Sequence, residues 1–186
     1  MQEKKSFIRH FMKERKMVGA LAPSSRFLAQ KMLKRIDFSK AQVIVELGPG
    51  TGVFTERILE KMRPDATLLV FELNDSFYEQ LKKRFSDERL VLIHDSAEQI
   101  EKYLEINRLT KADVVVSSLP LANFPKELRS NILAASHRSL TNTGQYIQFQ
   151  YSLQSRKFIK QTFSQMNIDF TPLNLPPAFV YTCKKD

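Results

Sequence analysis

Short apolar runs alternate with helical segments along most of this chain, and this alternation constrains the fold more than any other feature. The first run, Val43-Ile44-Val45, is β-branched and predicts a buried strand. Further strands are predicted at 67–73, 90–93, 112–116 and 145–151, with helices at 53–62, 76–85, 98–104, 125–140 and 153–166. Such alternation favours parallel pairing in one sheet that is covered by helices on both faces.

The C-terminal end does not follow this alternation of strands and helices. Residues 168–184 predict two further strands, which Pro172, Pro176 and Pro177 interrupt. The expected fold is therefore α/β: a Rossmann-like, seven-stranded, mostly parallel sheet with helices on both faces, preceded by N-terminal amphipathic helices.

The N-terminal segment, residues 1–40, is strongly basic. It holds eleven Lys or Arg residues against three acids, so it carries most of the net charge of +9. Its first part predicts an amphipathic helix, and Ser24 or Ser25 could cap a second one. The apolar stripe of that second helix is Leu28, Ala29, Met32, Leu33 and Ile36. We interpret 1–40 as a basic helical segment and 41–186 as the main domain.

Such a basic segment attracts polyanions, either nucleic-acid phosphate or anionic lipid headgroups, unless it is merely a solvated surface. The rest of the composition narrows the class of protein. A hydrophobic fraction of 42% is typical of a globular domain, and no apolar run approaches the ~18 residues of a membrane span. A single cysteine, Cys183, excludes a disulfide framework and a multi-cysteine metal site. We expect a cytoplasmic protein.

Candidate binding residues follow the predicted strands. Gly48, Gly50 and Gly52 form a turn after the first strand, where the backbone can approach a ligand closely. Glu72 ends the second strand and could accept hydrogen bonds from ribose hydroxyls, and Asp95 ends the third and could accept from an adenine amine. Because ligands of such sheets bind beyond the carboxyl ends of the strands, these residues predict one nucleoside site. A hydride-transfer site is disfavoured, since the last glycine comes one residue earlier than in Gly-x-Gly-x-x-Gly.

With the run from Val45 to Gly52 and the acids Glu72 and Asp95, residues 41–151 resemble the class I S-adenosylmethionine-dependent methyltransferases. The resemblance implies an enzyme that uses S-adenosylmethionine, releases S-adenosylhomocysteine and needs no metal. The cofactor-binding residues that it implies are Glu46, Gly48, Gly50, Gly52, Glu72, Leu73, Asp95, Ser96, Ala97 and Ser117.

The end of the fourth strand bears on the substrate. Its Ser118-Leu119-Pro120-Leu121 resembles the Asn-Leu-Pro-Tyr motif of the ribosomal RNA adenine dimethylases, but Ser118 and Leu121 replace the asparagine and the tyrosine that grip the adenine. Those enzymes also carry a C-terminal lobe, which we do not expect in a chain that stops at Asp186. By contrast, the runs 119–125 and 18–25 are similar to segments of bacterial phospholipid N-methyltransferases.

This second resemblance implies stepwise methylation of phosphatidylethanolamine toward phosphatidylcholine at an anionic membrane surface. It implies peripheral attachment to the inner face of the membrane. The alternatives are an RNA adenine or protein N-methyltransferase that uses the basic segment, and a cofactor-binding protein with little catalysis. The predicted catalytic residues are Ser117, Leu119 and Tyr151. The predicted membrane-binding residues are Lys4, Lys5, Phe7, Ile8, Arg9, Phe11, Met12, Lys13, Arg15 and Lys16.

Overall fold

A computed structural model describes residues 26–172, 174 and 176–185, and they form a seven-stranded sheet with helices on both sides. The strands are β1 (Val43–Leu47), β2 (Thr67–Phe71), β3 (Leu90–Ile93), β4 (Ala112–Ser117), β5 (Leu140–Gln150), β6 (Gln165–Thr171) and β7 (Ala178–Lys184). The α-helices are α1 (Arg26–Leu33), α2 (Val53–Lys61), α3 (Asp75–Arg84), α4 (Ile100–Ile106), α5 (Lys126–Ser139) and α6 (Arg156–Thr162). Short 3-10 turns at Ala97–Gln99, Leu121–Asn123 and Leu153–Ser155 join some of them.

The strand order is β3-β2-β1-β4-β5-β7-β6, which confirms the Rossmann-like expectation. Strands β1 to β5 pair in parallel, and β7 lies antiparallel between β5 and β6. The order reverses between β1 and β4, and the carboxyl ends of these two strands are where such sheets bind ligands.

Alternating residues of β1 pack into two separate hydrophobic cores. Val43, Val45 and Leu47 point to a core that includes side chains of α4, α5 and α6. Ile44, between them, points to a second core on the opposite face, where α1 and α2 pack. The predicted apolar stripe of α1, from Leu28 to Ile36, is buried in this second core. The period of two in β1 thus decides which helices cover which face.

Three local expectations were wrong, and each has a structural reason. Thr51 was a possible cap of the helix predicted at 53–62, but it does not cap α2, because the helix starts after Gly52, whose φ of 84° lies in the left-handed region. Gly144 was expected to precede the strand predicted at 145–151, but it lies within β5, where the register with β4 shifts. The helix predicted to reach Met166 ends at Thr162, since the residues from 165 onward pair with β7 instead.

The predicted first amphipathic helix, its ten membrane-binding residues and Val18 to Ser25 lie outside the described residues. Among the helices that the structure does describe, none is long and apolar enough to cross a membrane.

Candidate functional site

A cleft opens beyond the carboxyl ends of β1, β2, β3 and β4. It contains polar groups at one side and apolar side chains at the other. Its lining residues are Gly48, Phe71, Glu72, Leu73, Asp95, Ser96, Ala97, Leu119, Phe124 and Ile132. The structure therefore brings together most of the predicted cofactor residues, although they come from three different strand ends.

The glycine turn forms one wall of the cleft. Gly48 and Gly50 have φ values of 69° and 58°, which are unfavourable for residues with a side chain. A Cβ atom on Gly48 would lie 2.6 Å from Leu119 Cδ2, whereas one on Gly50 would meet no atom within 4 Å. Gly48 thus allows two strand ends to approach each other, and Gly50 faces open space that a ligand can fill. Gly52 instead packs on Leu81 and Phe85 of the α3 region.

Glu72 is held rigidly at the base of this wall. Its side chain is 1% exposed, and its two oxygens accept hydrogen bonds from the backbone N–H groups of Asn74 (2.8 Å) and Gly50 (3.2 Å). These two N–H groups fix the carboxylate in the lining of the cleft. The link to Gly50 couples the position of this acid to the shape of the glycine turn.

Asp95 is oriented by neighbours on both sides. One oxygen accepts from the N–H of Ser96 at 2.8 Å, and the other from the hydroxyl of Tyr103 at 3.2 Å. Burial and the nearby Asp95 charge raise the pKa of Tyr103, so the tyrosine stays a donor. The resemblance assigns Ser96 to the cofactor, but its backbone N–H already donates to Asp95 and orients that side chain. Apolar Leu73, Ala97 and Ile132 complete a slot that suits a flat base.

Glu46 lies behind the cleft rather than in it. It is 0% exposed; one oxygen accepts from the Thr55 hydroxyl at 2.7 Å, and the other has no partner among the residues that the structure describes. Burial, with the nearby Glu72 charge as a smaller cause, raises the pKa of Glu46 to about 8. The predicted direct cofactor contact of Glu46 is therefore not part of the observed cleft lining.

The β4 end carries the acceptor loop, residues 117–125. Ser117 is fully buried, and its hydroxyl oxygen lies 3.4 Å from the backbone N of Leu119. The proline at 120 suggested that nearby carbonyls face a substrate nitrogen. The Leu119 carbonyl instead accepts from the side-chain amides of Gln148 (3.0 Å) and Gln150 (2.9 Å) and from the Leu121 N–H (2.9 Å). These bonds occupy its lone pairs, so this carbonyl is not free for a substrate. The Leu119 side chain does line the cleft.

Two further residues, Tyr151 and His94, are not among those that line the cleft. Tyr151 follows β5, is 41% exposed and touches the Phe149 ring edge-on. His94, which had no assigned role, lies 3.1 Å from an Asp75 oxygen and stacks on Tyr78. These contacts give the histidine a packing role beside the cleft.

Sequence reasoning missed several residues that shape the site, namely Tyr103, Gln148, Gln150, Phe71 and Ile132. Only the glutamines had a signal: they alternate with apolar residues in the last part of β5, where buried amides need partners. The ring of Phe124 could either stack on a substrate base or belong to the core. It is 5% exposed and lines the cleft.

The residues that line the cleft fit S-adenosylmethionine. Glu72 and Asp95 are fixed acceptors at two neighbouring strand ends, an apolar slot adjoins Asp95, and Gly50 leaves space for a ligand beside the turn. The described part of the chain brings together no group of three His, Cys, Asp or Glu side chains that could hold a metal ion.

Comparison with known proteins agrees with this geometry. The family model for ribosomal RNA adenine dimethylase matches residues 4–168. An ornithine lipid N-methyltransferase of Singulisphaera acidiphila is 31% identical over 180 residues, covering 96% of this chain and 94% of that protein. A ribosomal RNA small subunit methyltransferase A of Sulfurihydrogenibium sp. is 36% identical over 75 residues, which are 40% of this chain and 28% of that protein.

Solved structures show the same fold. A putative rRNA methylase from Clostridium thermocellum superposes with a TM-score of 0.65 at 16% identity, covering 89% of this chain and 99% of that one. A structure of PigF with S-adenosylhomocysteine gives a TM-score of 0.63 at 14% identity, covering 86% of this chain and 55% of that one. The chain thus matches the lipid enzyme along nearly its full length but spans less than a third of the Sulfurihydrogenibium relative.

Proposed function

We propose that this chain, which belongs to the ribosomal RNA adenine dimethylase family and is an S-adenosylmethionine-dependent methyltransferase, methylates the headgroup amine of a membrane lipid. The observation that carries the proposal is its likeness to the ornithine lipid N-methyltransferase along nearly the whole of both chains. Phosphatidylethanolamine, methylated toward phosphatidylcholine, is the substrate we propose from the acceptor-loop sequence. An ornithine lipid is the second candidate.

The cofactor side of the reaction follows from the cleft. S-adenosylmethionine, when bound, supplies a methyl group on a sulfonium that is already activated for transfer. Glu72 would hold the ribose hydroxyls and Asp95 the adenine amine, because both carboxylates are fixed by other hydrogen bonds. The turn at Gly48 and Gly50 would admit the methionine part close to the backbone. The main contribution of the protein is then to position the donor methyl against the acceptor amine.

The acceptor amine must lose its proton before it can attack. Asp95 lies beside the apolar slot that we assign to the adenine, so we assign it to the cofactor and not to proton removal. The exposed ring of Tyr151, at the end of β5, can hold the ammonium form by a cation–π contact. The proton would then leave to water at the mouth of the cleft.

The acceptor loop favours a lipid amine over a nucleic-acid base. A flipped base is gripped by stacking, worth about 1–3 kcal/mol per base. Leu121, which replaces the dimethylase tyrosine, has no aromatic ring and is 0% exposed. A small aliphatic amine needs no such platform.

An apolar rim supports work at a membrane surface. Its residues are Tyr151 (41% exposed), Leu153 (45%) and Phe170 (53%). Gln150, which precedes Tyr151, pairs with Phe179 of β7, and Phe179 pairs with Phe170 of β6. The end of β5, where Tyr151 follows, and Phe170 therefore lie at the same edge of the sheet. That edge also carries the cleft. Exposed Arg156 and Lys157 adjoin the rim and suit anionic headgroups.

The test is methyl transfer from labelled S-adenosylmethionine to three acceptors: vesicles with phosphatidylethanolamine, vesicles with ornithine lipid, and ribosomal RNA. We expect label in a lipid fraction, with a rate that rises when anionic lipid is added to the vesicles. Label confined to RNA would refute the proposal in favour of the adenine dimethylase activity. Incorporation into neither lipid nor RNA, with the donor bound, would also refute it.

A further inference from the structure

A buried arginine next to the acceptor loop has no acidic partner among the residues that the structure describes. Arg129, on α5, is 8% exposed, and burial is the sole cause that shifts its pKa. Its guanidinium carbon lies 3.4 Å from the centroid of the Phe158 ring, and Nη1 lies 3.5 Å from the Leu121 carbonyl oxygen. Its Nε is buried without a hydrogen-bond partner. The side chain is thus held in place by a ring and by one long contact.

This arrangement is costly for the fold. A buried cation normally pairs with a carboxylate, because the loss of hydration is otherwise uncompensated. Burial alone lowers the pKa of Arg129, without a nearby acid that opposes the shift. The contact with Phe158 offsets only part of that cost. An anion that reached the Nε edge would satisfy the guanidinium.

The position of Arg129 places it on the substrate side. Leu121, whose carbonyl it approaches, belongs to the acceptor loop, and Phe158 belongs to α6, which follows the β5 end. Ser118, in the same loop, is 9% exposed and also has a buried hydroxyl oxygen without a partner. Among the described residues, two unsatisfied polar groups therefore lie in or beside the loop that we place against the acceptor amine.

We infer that Arg129 binds the oxyanion of the lipid headgroup, the phosphate or carboxylate that lies a few bonds from the methylated amine. This inference rests on the proposed function. Phosphatidylethanolamine carries a phosphate and ornithine a carboxylate, and a guanidinium can bind either through two parallel N–H groups. The 3.5 Å contact with Leu121 is weak and would give way to the anion. Binding the anion fixes the distance from the headgroup to the donor, so only zwitterionic amine lipids place their nitrogen correctly.

The experiment compares Arg129→Met and Arg129→Lys with Arg138→Met, an exposed arginine on the same helix that pairs with Glu101. The substrates are phosphatidylethanolamine, ornithine lipid and stearylamine, an amine lipid without an anion, in mixed micelles. For Arg129→Met we expect the KM of the zwitterionic substrate to rise at least tenfold while stearylamine turnover and S-adenosylhomocysteine affinity stay at the wild-type level. Arg129→Lys should recover part of the loss, and Arg138→Met should match the wild type. The lipid whose KM responds identifies the anion.

The melting temperature separates a binding role from a packing role. Since Arg129→Met removes an unpaired buried charge, we expect its melting temperature to be unchanged or higher. Equal losses on all three lipids, together with a lower melting temperature, would indicate a packing role and overturn the inference. An unchanged KM for the zwitterionic lipids would overturn it as well. If the wild-type protein methylated no lipid, the proposed function itself would fail, and the inference with it.

Discussion

Two carboxyl groups near the glycine turn have opposite surroundings. Glu72 accepts two backbone N–H bonds, which stabilise its charged form, whereas Glu46 accepts one hydroxyl bond in a fully buried position. Burial without enough donors disfavours charge, so Glu46 holds its proton to about pH 8. A neutral Glu46 keeps a second negative charge away from Glu72, which the cofactor site needs as an anion.

The buried Glu46 predicts an unusual pH dependence of stability. Its pKa rises from 4.5 in the unfolded chain to about 8 in the folded one, so the folded state binds more protons between these values. Its contribution is complete below pH 4.5 and is lost as the pH rises toward 8, by up to about 1.4 kcal/mol per pH unit. Glu46→Gln should remove this dependence, because the amide resembles the protonated acid.

Urea unfolding at pH 5.5, 7 and 8.5, without cofactor, measures the effect. The free energy of unfolding of the wild type should decline relative to Glu46→Gln across this range. Parallel pH profiles for the two proteins would show that Glu46 is ionised in the folded state.

At the scale of elements, two loops determine the shape of the cleft. The glycine turn after β1 and the acceptor loop after β4 meet where Gly48 approaches Leu119. The turn is tied to β2 by the Gly48 N–H bond to the Phe71 carbonyl. The acceptor loop is tied to β5 through Gln148 and Gln150. The distance between the two loops therefore depends on four strands, β1, β2, β4 and β5.

Alanine substitutions in the glycine turn separate backbone strain from steric contact. Gly50→Ala forces a side chain into the left-handed region but meets no atom, so we expect a cost of about 1–2 kcal/mol in unfolding free energy. Gly48→Ala has similar strain and must also displace Leu119, so its cost should be larger. Chemical denaturation of the two variants without cofactor measures this difference. Equal losses of unfolding free energy in the two variants would mean that the Leu119 side chain moves aside without an energetic penalty.

At the scale of the whole molecule, one edge of the sheet gathers the features needed at a bilayer. The carboxyl ends of β1 to β4 form the cleft, and β5 and β6 end in the apolar rim at the same edge. The opposite edge carries Ile106, near the start of β4, which is 61% exposed. This side is remote from the cleft and makes Ile106 a matched apolar control.

The rim predicts how the domain meets vesicles. Leu153→Ser combined with Phe170→Ser should weaken sedimentation with anionic phosphatidylethanolamine vesicles by about tenfold. Each side chain is 45% or 53% exposed, so burying the rest is worth about half of ~1.5 kcal/mol, and the two losses together come to about 1.5 kcal/mol. Ile106→Ser should bind vesicles as the wild type does. S-adenosylhomocysteine affinity should be the same in all three proteins. Equal vesicle binding by the double variant and Ile106→Ser would refute a membrane contact through this rim.

Local patterns in the sequence were enough to predict the sheet. The β-branched run at Val43 and the stripe from Leu28 to Ile36 predicted a strand and a helix, and both lie where expected. The spacing of Glu72 and Asp95 from the glycine turn indicated that they meet at one edge, because parallel strands carry their ends there. The helix end at Thr162 was missed, since pairing with β7 overrides the local helical pattern beyond it.

The sequence by itself determined the fold class and the residues that converge at the strand ends, because hydrophobic period and turn chemistry are local properties. Tertiary structure alone decided what each polar group has beside it. It gave the Leu119 carbonyl two glutamine partners and, within the described part of the chain, left Glu46 short of donors and placed Arg129 without an acid. Desolvation and hydrogen-bond satisfaction depend on neighbours that are distant along the chain, so no local pattern specifies them.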